Sequence, residues 1–281
     1  MLEIHTLSVA LGAEATGIDF GQQLLERDVE RLHAAFLEHH LLCLRAEPLP
    51  AADLLRLARH FGELQLQLLR RGRHAQVPEV SILDSTYRTP QAKPADLLQR
   101  RVASWHTDDS YFEIPAKATM FQALEIPQSG GETRFCNTEM AYDELPPELL
   151  RRLEGLHAVH GYDTSRAPAR AVKRTDVEIE ETPEVVHPLI RTHEETGKKA
   201  IYFNSNRTDR VLRLNRDESD ALLDQLHAHM IQPHFQYSHT WRVGDILLWD
   251  NRCLTHSVNV DYPPCQPRIH HRILLRGTRP V

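Results

Sequence analysis

The chain of 281 residues is poor in cysteine: Cys43, Cys136, Cys253 and Cys265 are the only four, and no two form a Cys-x-x-Cys pair. This scarcity excludes a disulfide-stapled scaffold and a thiolate zinc knot, and it points to reduced thiols in a cytoplasmic protein. No stretch approaches the roughly 18 apolar residues of a membrane span, and Glu3 and His5 break the start where an apolar leader would lie. Export or membrane insertion by such signals is not expected. An excess of positive charge is also missing; the formal net charge of −6 argues against nucleic acid or anionic membrane as a general partner. Internal repeats and long low-complexity tracts are absent. A chain of this length can bury a substantial core, so a single domain over 1–281 is expected.

What the sequence does have is a succession of short apolar runs separated by turns. Strands are expected from Leu2 to Ala10, at 41–44 and 80–83, then at 119–126, 132–136, 185–191, 200–204, 235–241, 245–249 and 269–277. Helical spacing appears after Asp28 (Val29, Leu32, Phe36), after Asp53 (Leu54, Leu57, Ala58, Phe61) and at 217–230; another helix over 138–153 should break at Pro146-Pro147. The fold class is therefore mainly β with flanking helices, built as an antiparallel barrel or jelly roll. Two segments resist assignment. Residues 65–101 include a polar stretch, 89–101, leading to the motif below, and 162–184 is rich in charge and proline, like a mobile surface excursion.

Chemistry concentrates in Trp105-His106-Thr107-Asp108, answered downstream by Trp249-Asp250-Asn251-Arg252 and Thr255-His256-Ser257. If 104–109 are extended, His106 and Asp108 project to one side and can share a metal ion. Two imidazoles and one carboxylate on one face of an octahedron leave three sites open, which suits Fe(II) that must also bind other ligands. The plainer reading is a chance His-x-Asp triplet among 18 histidines and 39 acidic residues, with Asp108-Asp109-Ser110 capping a helix. The company the triplet keeps favours the metal: Ser129-Gly130-Gly131-Glu132-Thr133, then His256, then Arg268-Ile269-His270-His271-Arg272, in fixed order.

That ordered set resembles the Fe(II)/2-oxoglutarate-dependent oxygenases typified by taurine dioxygenase and 2,4-dichlorophenoxyacetate dioxygenase, the TauD/TfdA family. The likeness runs from Gly12 to the last strand and includes Phe135-Cys136, the run Ala141 to Pro146, and His187 to His193. It implies a double-stranded β-helix (jelly-roll, cupin-like) core, with Fe(II), 2-oxoglutarate and O2 as cofactor and cosubstrates. His256 becomes the third metal ligand beside His106 and Asp108; it follows the apolar strand Ile246 to Trp249, and Thr255 and Asn259 could fix its ring. The family reaction hydroxylates a small organic substrate, releasing succinate and CO2, and becomes a cleavage where the hydroxylated carbon bears a sulfonate, sulfate ester or ether oxygen. Relatives form dimers and tetramers, so a homo-oligomer is expected.

Arg268 lies inside an apolar strand, where an unpaired charge is costly unless an anion meets it. By resemblance it grips the distal carboxylate of 2-oxoglutarate with the Thr133 hydroxyl; the alternative is an arginine reaching out to water. Arg272, four residues on, faces the same side of a strand, and two buried guanidinium groups imply two anions. In the taurine-like members that arginine holds the substrate's sulfonate or carboxylate, so a small anionic substrate is expected. The same register puts Tyr111 at a pocket-lining aromatic, Arg207 where the taurine enzyme has an aromatic, and Asp109 where it has a small apolar residue; Arg207 could equally be a surface loop residue. The insertion at 162–184 would be a lid and 65–101 an active-site loop. Two other classes use the same residues: a hydrolase with a metal-activated water at the three ligands, and a non-catalytic domain binding an anion through Arg268 and Arg272.

Overall fold

A computed structural model describes residues 1–86, 104–167 and 174–281. The segment 89–101 and the middle of 162–184 lie outside the described residues. Sixteen strands are present among those described: β1 (Glu3–Thr6), β2 (Ala13–Thr16), β3 (Leu41–Leu44), β4 (Leu64–Gln65), β5 (Ser81–Asp84), β6 (Ala116–Glu125), β7 (Thr133–Asn137), β8 (His157–His160), β9 (Val185–Pro188), β10 (Ile190–Thr192), β11 (Lys199–Ile201), β12 (Thr208–Val211), β13 (Gln236–His239), β14 (Ile246–Asp250), β15 (Leu254–Val258) and β16 (Ile269–Arg276). The main sheet runs β1-β2-β3-β14-β6-β16-β4, with β5 also on β16; a smaller sheet, β13-β7-β15, faces its centre.

The sequence of β14 shows why the layers form. Its odd and even residues bury against different partners: Ile246 and Leu248 join a cluster with α1 (Glu26–His39) and α2 (Ala51–Arg59), through Leu32, Phe36, Leu54 and Leu57. Leu247 and Trp249 instead join Phe121, Ala123 and Phe135 between the two sheets. A strand covered on both faces must be apolar throughout, as Ile-Leu-Leu-Trp is. Behind the smaller sheet, α3 (Thr138–Asp143), α4 (Pro147–Leu153) and α6 (Arg216–Met230) enclose a further core around Leu149, Leu222 and Leu226. The expected break at Pro146-Pro147 separates α3 from α4.

β16 departs from this rule. Ile273 and Leu275 enter the helix-facing cluster, whereas Arg272 and His270 lie opposite Phe121 and Ala123 of β6 and so face the space between the sheets. Charged groups thus project into an apolar interior, which marks the site.

Several expectations need correction. The first strand is only Glu3–Thr6; 185–191 splits into β9 and β10 around Leu189; 200–204 contracts to β11. β2, β4, β8, β12 and β15 were not anticipated, nor was α5 (Asp176–Glu180), capped by Thr175 and Glu178 in reciprocal hydrogen bonds within the charged segment. Short strands with polar residues on one side carry too few apolar positions for periodicity to register.

Candidate active site

His106 and Asp108 do not share a strand. His106 makes an isolated bridge to His256 of β15, its N–H donating to the His256 carbonyl at 2.9 Å and receiving the reciprocal bond at 2.7 Å. The chain turns from Asp108 onward, with Asp109 in the left-handed region at φ 57°, so the extended stretch expected over 104–109 ends before Asp108. Nor does Asp108 cap a helix. One ligand atom from each of His106, Asp108 and His256 lies within 4.8 Å of the others. Burial lowers the affinity of both imidazoles for protons, His256 to about 3, so each is neutral and offers a lone pair at neutral pH. Burial would raise Asp108, but His256, Arg272, His106 and the Thr119 hydroxyl outweigh it and hold the carboxyl at about 2. Two neutral nitrogens and one carboxylate, with no thiolate, fit Fe(II) at a face-capping site.

The Asp108 carboxylate is held by a hydrogen-bond chain that sequence reading missed. The Trp249 indole donates to Asn251 Oδ1 at 3.0 Å, fixing the amide; Asn251 Nδ2 donates to Thr119 Oγ1 at 2.9 Å; Thr119 donates to Asp108 Oδ2 at 2.7 Å. Asn204 adds a bond to the Thr107 carbonyl at 2.8 Å. The Trp-Asp-Asn-Arg run was recognised as a motif, but Thr119, one hydroxyl inside an apolar strand, gave no signal. His106 Nδ1 meets the Ser104 carbonyl at 2.8 Å, which leaves Nε2 for the metal. The expected supports for His256 are not there: Asn259 bonds Glu132 and the Thr255 hydroxyl has no partner. Its ring is wedged by Trp249 (centroids 4.9 Å apart), Phe135 (6.0 Å) and His106 (4.2 Å) instead.

Arg268 is buried, 3% exposed, not reaching to water. Its guanidinium donates to the Gly131 carbonyl (3.0 Å), Ser85 Oγ (3.0 Å) and Thr133 Oγ1 (3.1 Å), all neutral acceptors, and no carboxylate among the described residues pairs with it. Burial without a counter-charge pulls it down to about 10, still protonated at neutral pH. Thr133 Oγ1 also accepts from the Trp241 indole at 3.0 Å, so both lone pairs are used and its hydrogen is free for an incoming anion. Register sets the spacing. Phe135 lies opposite His256, and Thr133 is two residues along the same face of β7, about 7 Å further by strand rise.

Arg272, at the opposite end of β16's inner face, brings Nη1 to 3.6 Å from Asp108 Oδ1 and bonds Gln67 through Nη2, while its buried Nε has no partner. Arg207 is half-buried, with its guanidinium over the rings of Tyr111 (4.8 Å) and Tyr162 (4.5 Å), and it donates to the Tyr162 carbonyl. Asp109 accepts from Tyr111 (2.8 Å) and from Gln65 (2.9 Å). Burial and the neighbouring Asp108 charge lift its carboxyl to about 6, against the pull of Arg272. His74 packs on His271, which points to the other face of β16 from Arg272.

Comparison with known proteins bears on this geometry directly. The profile of the taurine catabolism dioxygenase TauD, TfdA family matches residues 3–277. The chain belongs to the TauD/TfdA family. Among curated members it is 31% identical over 260 residues to the alpha-ketoglutarate-dependent 2,4-dichlorophenoxyacetate dioxygenase of Cupriavidus pinatubonensis, covering 90% of this chain and 89% of that one. It is 30% identical over 287 residues to the alpha-ketoglutarate-dependent sulfate ester dioxygenase of Pseudomonas putida, covering 100% and 91%. A taurine dioxygenase from Burkholderia xenovorans superposes with a TM-score of 0.84 at 27% identity, over 100% of this chain and 91% of that one. AAD-2 in complex with Mn(II) and N-oxalylglycine superposes at 0.81 and 26%, over 100% and 99%. The protein is thus a dioxygenase dependent on 2-oxoglutarate (alpha-ketoglutarate), with Fe(II) and O2, on the family's jelly-roll core. Neither the hydrolase nor the non-catalytic alternative finds support in these relatives.

Proposed function

We propose that this TauD/TfdA dioxygenase holds Fe(II) with His106, Asp108 and His256, holds the distal carboxylate of 2-oxoglutarate with Arg268 and Thr133, and oxidises a small organic anion received by Arg272. The observation that carries the reading is the convergence of the three ligand atoms within 4.8 Å from segments remote in sequence. Bound together, Fe(II) and 2-oxoglutarate supply the reductive activation of O2, with loss of CO2 and formation of succinate. The chain's own part is positioning. Asp108 stays ionised, held by Thr119, and the two histidines need lose no proton to bind the metal. Trp249, Phe135 and Phe121 wall the site and keep water from it.

The substrate reading rests on charge. Arg272 has a buried Nε donor unused among the described residues, and Arg207, lying against the rings of two tyrosines, has no carboxylate partner among them. Carboxylates, sulfonates and sulfate esters have the matching charge, and aromatic faces at Tyr111 and Tyr162 favour an apolar body behind it. Asp109 makes the pocket more polar than an apolar residue would. The named substrates of the relatives, 2,4-dichlorophenoxyacetate and sulfate esters, are such anions. Succinate formation with a panel of these compounds, with and without Fe(II) and O2, tests the reading. Turnover should need both and should fall at least tenfold in Arg272→Met; turnover of uncharged analogues as fast as the anions would sink the anion pocket. The four free thiols accord with a cytoplasmic enzyme, and light scattering would read the dimer or tetramer that the family implies.

A further inference from the structure

The interior between the sheets contains one polar side chain that the metal ligands, Arg268 and Arg272 leave unexplained. His270 is 0% exposed, and neither Nδ1 nor Nε2 has a hydrogen-bond partner among the described residues. Other buried histidines, such as His160 and His187, lack a partner at only one nitrogen. A neutral imidazole carries one N–H and one lone pair, and leaving both unmade in a dry core is costly. Packing does not require it. The ring stacks on Phe121 (centroids 4.5 Å, planes 19° apart) and meets the edge of Trp241 at 4.8 Å, a slot that an aromatic hydrocarbon would fill without penalty.

Its place is informative. Arg268 immediately precedes β16; its carbonyl accepts from Ser85 N–H and so continues the regular register of β16 with β5, while the pairing with β6 shifts between Ile269 and His270, and at two-residue spacing Arg268, His270 and Arg272 share one face. Arg272 reaches the metal-ligand end at Asp108, and Arg268 binds Thr133 at the far end. His270 stands midway, about 7 Å by strand rise from each. Rings also link the two ends: His256 touches Trp249, Trp249 touches Phe121, Phe121 stacks on His270, and His270 meets Trp241, whose indole bonds Thr133. Burial, the Arg268 charge and His239 keep the imidazole neutral, so it presents one N–H donor.

We propose that His270 is a cosubstrate-binding residue, donating its ring N–H to the distal carboxylate of 2-oxoglutarate as a third donor beside Arg268 and Thr133. This rests on the assignment of those two residues to that carboxylate. Binding of N-oxalylglycine, an unreactive 2-oxoglutarate analogue, to the Mn(II)-loaded protein by calorimetry tests it, with Arg268→Met as reference. His270→Phe should weaken binding about 10- to 100-fold, while the melting temperature of the ligand-free protein stays level or rises, because an unsatisfied polar group has been removed. His270→Gln, which keeps a donor, should recover part of the affinity. In the unaltered, Zn(II)-loaded protein, the His270 ring N–H resonance should move downfield when N-oxalylglycine is added. Affinity within threefold of the parent in His270→Phe, or an unmoved ring resonance, overturns the proposal. If Arg268→Met loses binding while His270→Phe does not, His270 alone is removed from the site; if neither loses it, the Arg268 assignment falls too.

Discussion

Thr119 is the place where a single oxygen decides how the metal carboxylate is aimed. Thr119→Val keeps the shape of a side chain that is 0% exposed, but it deletes the 2.7 Å bond to Asp108 and leaves Asn251 Nδ2 without its 2.9 Å acceptor. The orphaned buried donor costs about 1–3 kcal/mol, which at about 2–4 °C per kcal/mol should lower the melting temperature of the metal-free protein by about 5 °C. Metal affinity should drop about 10- to 100-fold, the usual effect of losing a group that orients a ligand. Two routes to that loss can be separated by magnitude. A hydrogen bond to a charged group is worth about 1.5–3 kcal/mol, or one to two pKa units. Asp108 starts near 2, so without Thr119 it would still titrate well below neutrality. Orientation, not protonation, is then what is lost. Mn(II) titration of both proteins at pH 8, 7 and 6 is the assay, and the affinity ratio should be the same at all three. An unchanged affinity, or a ratio that climbs as pH falls, would refute the reasoning.

Two further outcomes follow from the same geometry. Gly131 has φ +74°, and a Cβ there would meet Pro127 Cγ at 3.0 Å, Tyr262 Cδ1 at 3.2 Å and Arg268 Nε at 3.3 Å; Gly131→Ala should both lower the melting temperature and weaken 2-oxoglutarate binding, whereas a loss of stability with intact binding would mean that the turn does not set the guanidinium's position. Acid should destabilise the fold early. Burial lowers His187 to about 4 and His160 well below its usual value, so between pH 6.5 and about 4 the unfolded chain binds protons that the folded one does not. Their contribution is complete above pH 6.5 and is lost as pH falls, about 2 kcal/mol per histidine by pH 5; denaturant midpoints that do not move between pH 7 and 5 would contradict this.

The candidate site residues were more legible than the scaffold that holds them. His106, Asp108, His256 and Arg268 could be read from the fixed order of their motifs and the family likeness that order carries, and the structure brings the first three within 4.8 Å of one another and buries the Arg268 guanidinium. The extended strand expected over 104–109 is not there: a bridge at His106 gives way to a turn at Asp108. Burial of Arg207 could not be read either, because its stacking on Tyr111 and Tyr162 depends on loops meeting in space. Thr119 and His270 were silent for a related reason. Their meaning lies in which hydrogen bonds are made or missing, and that is a property of three-dimensional neighbours.

The position of β16 in the main sheet sets an order of events. It lies between β6 on one side and β4 and β5 on the other, so the two arginines reach the interior only when this late segment slots between strands that precede it by many residues. Closing such long loops is entropically slow. A chain that ended before β16 would accordingly bring the His106 and His256 segments together with neither guanidinium beside them.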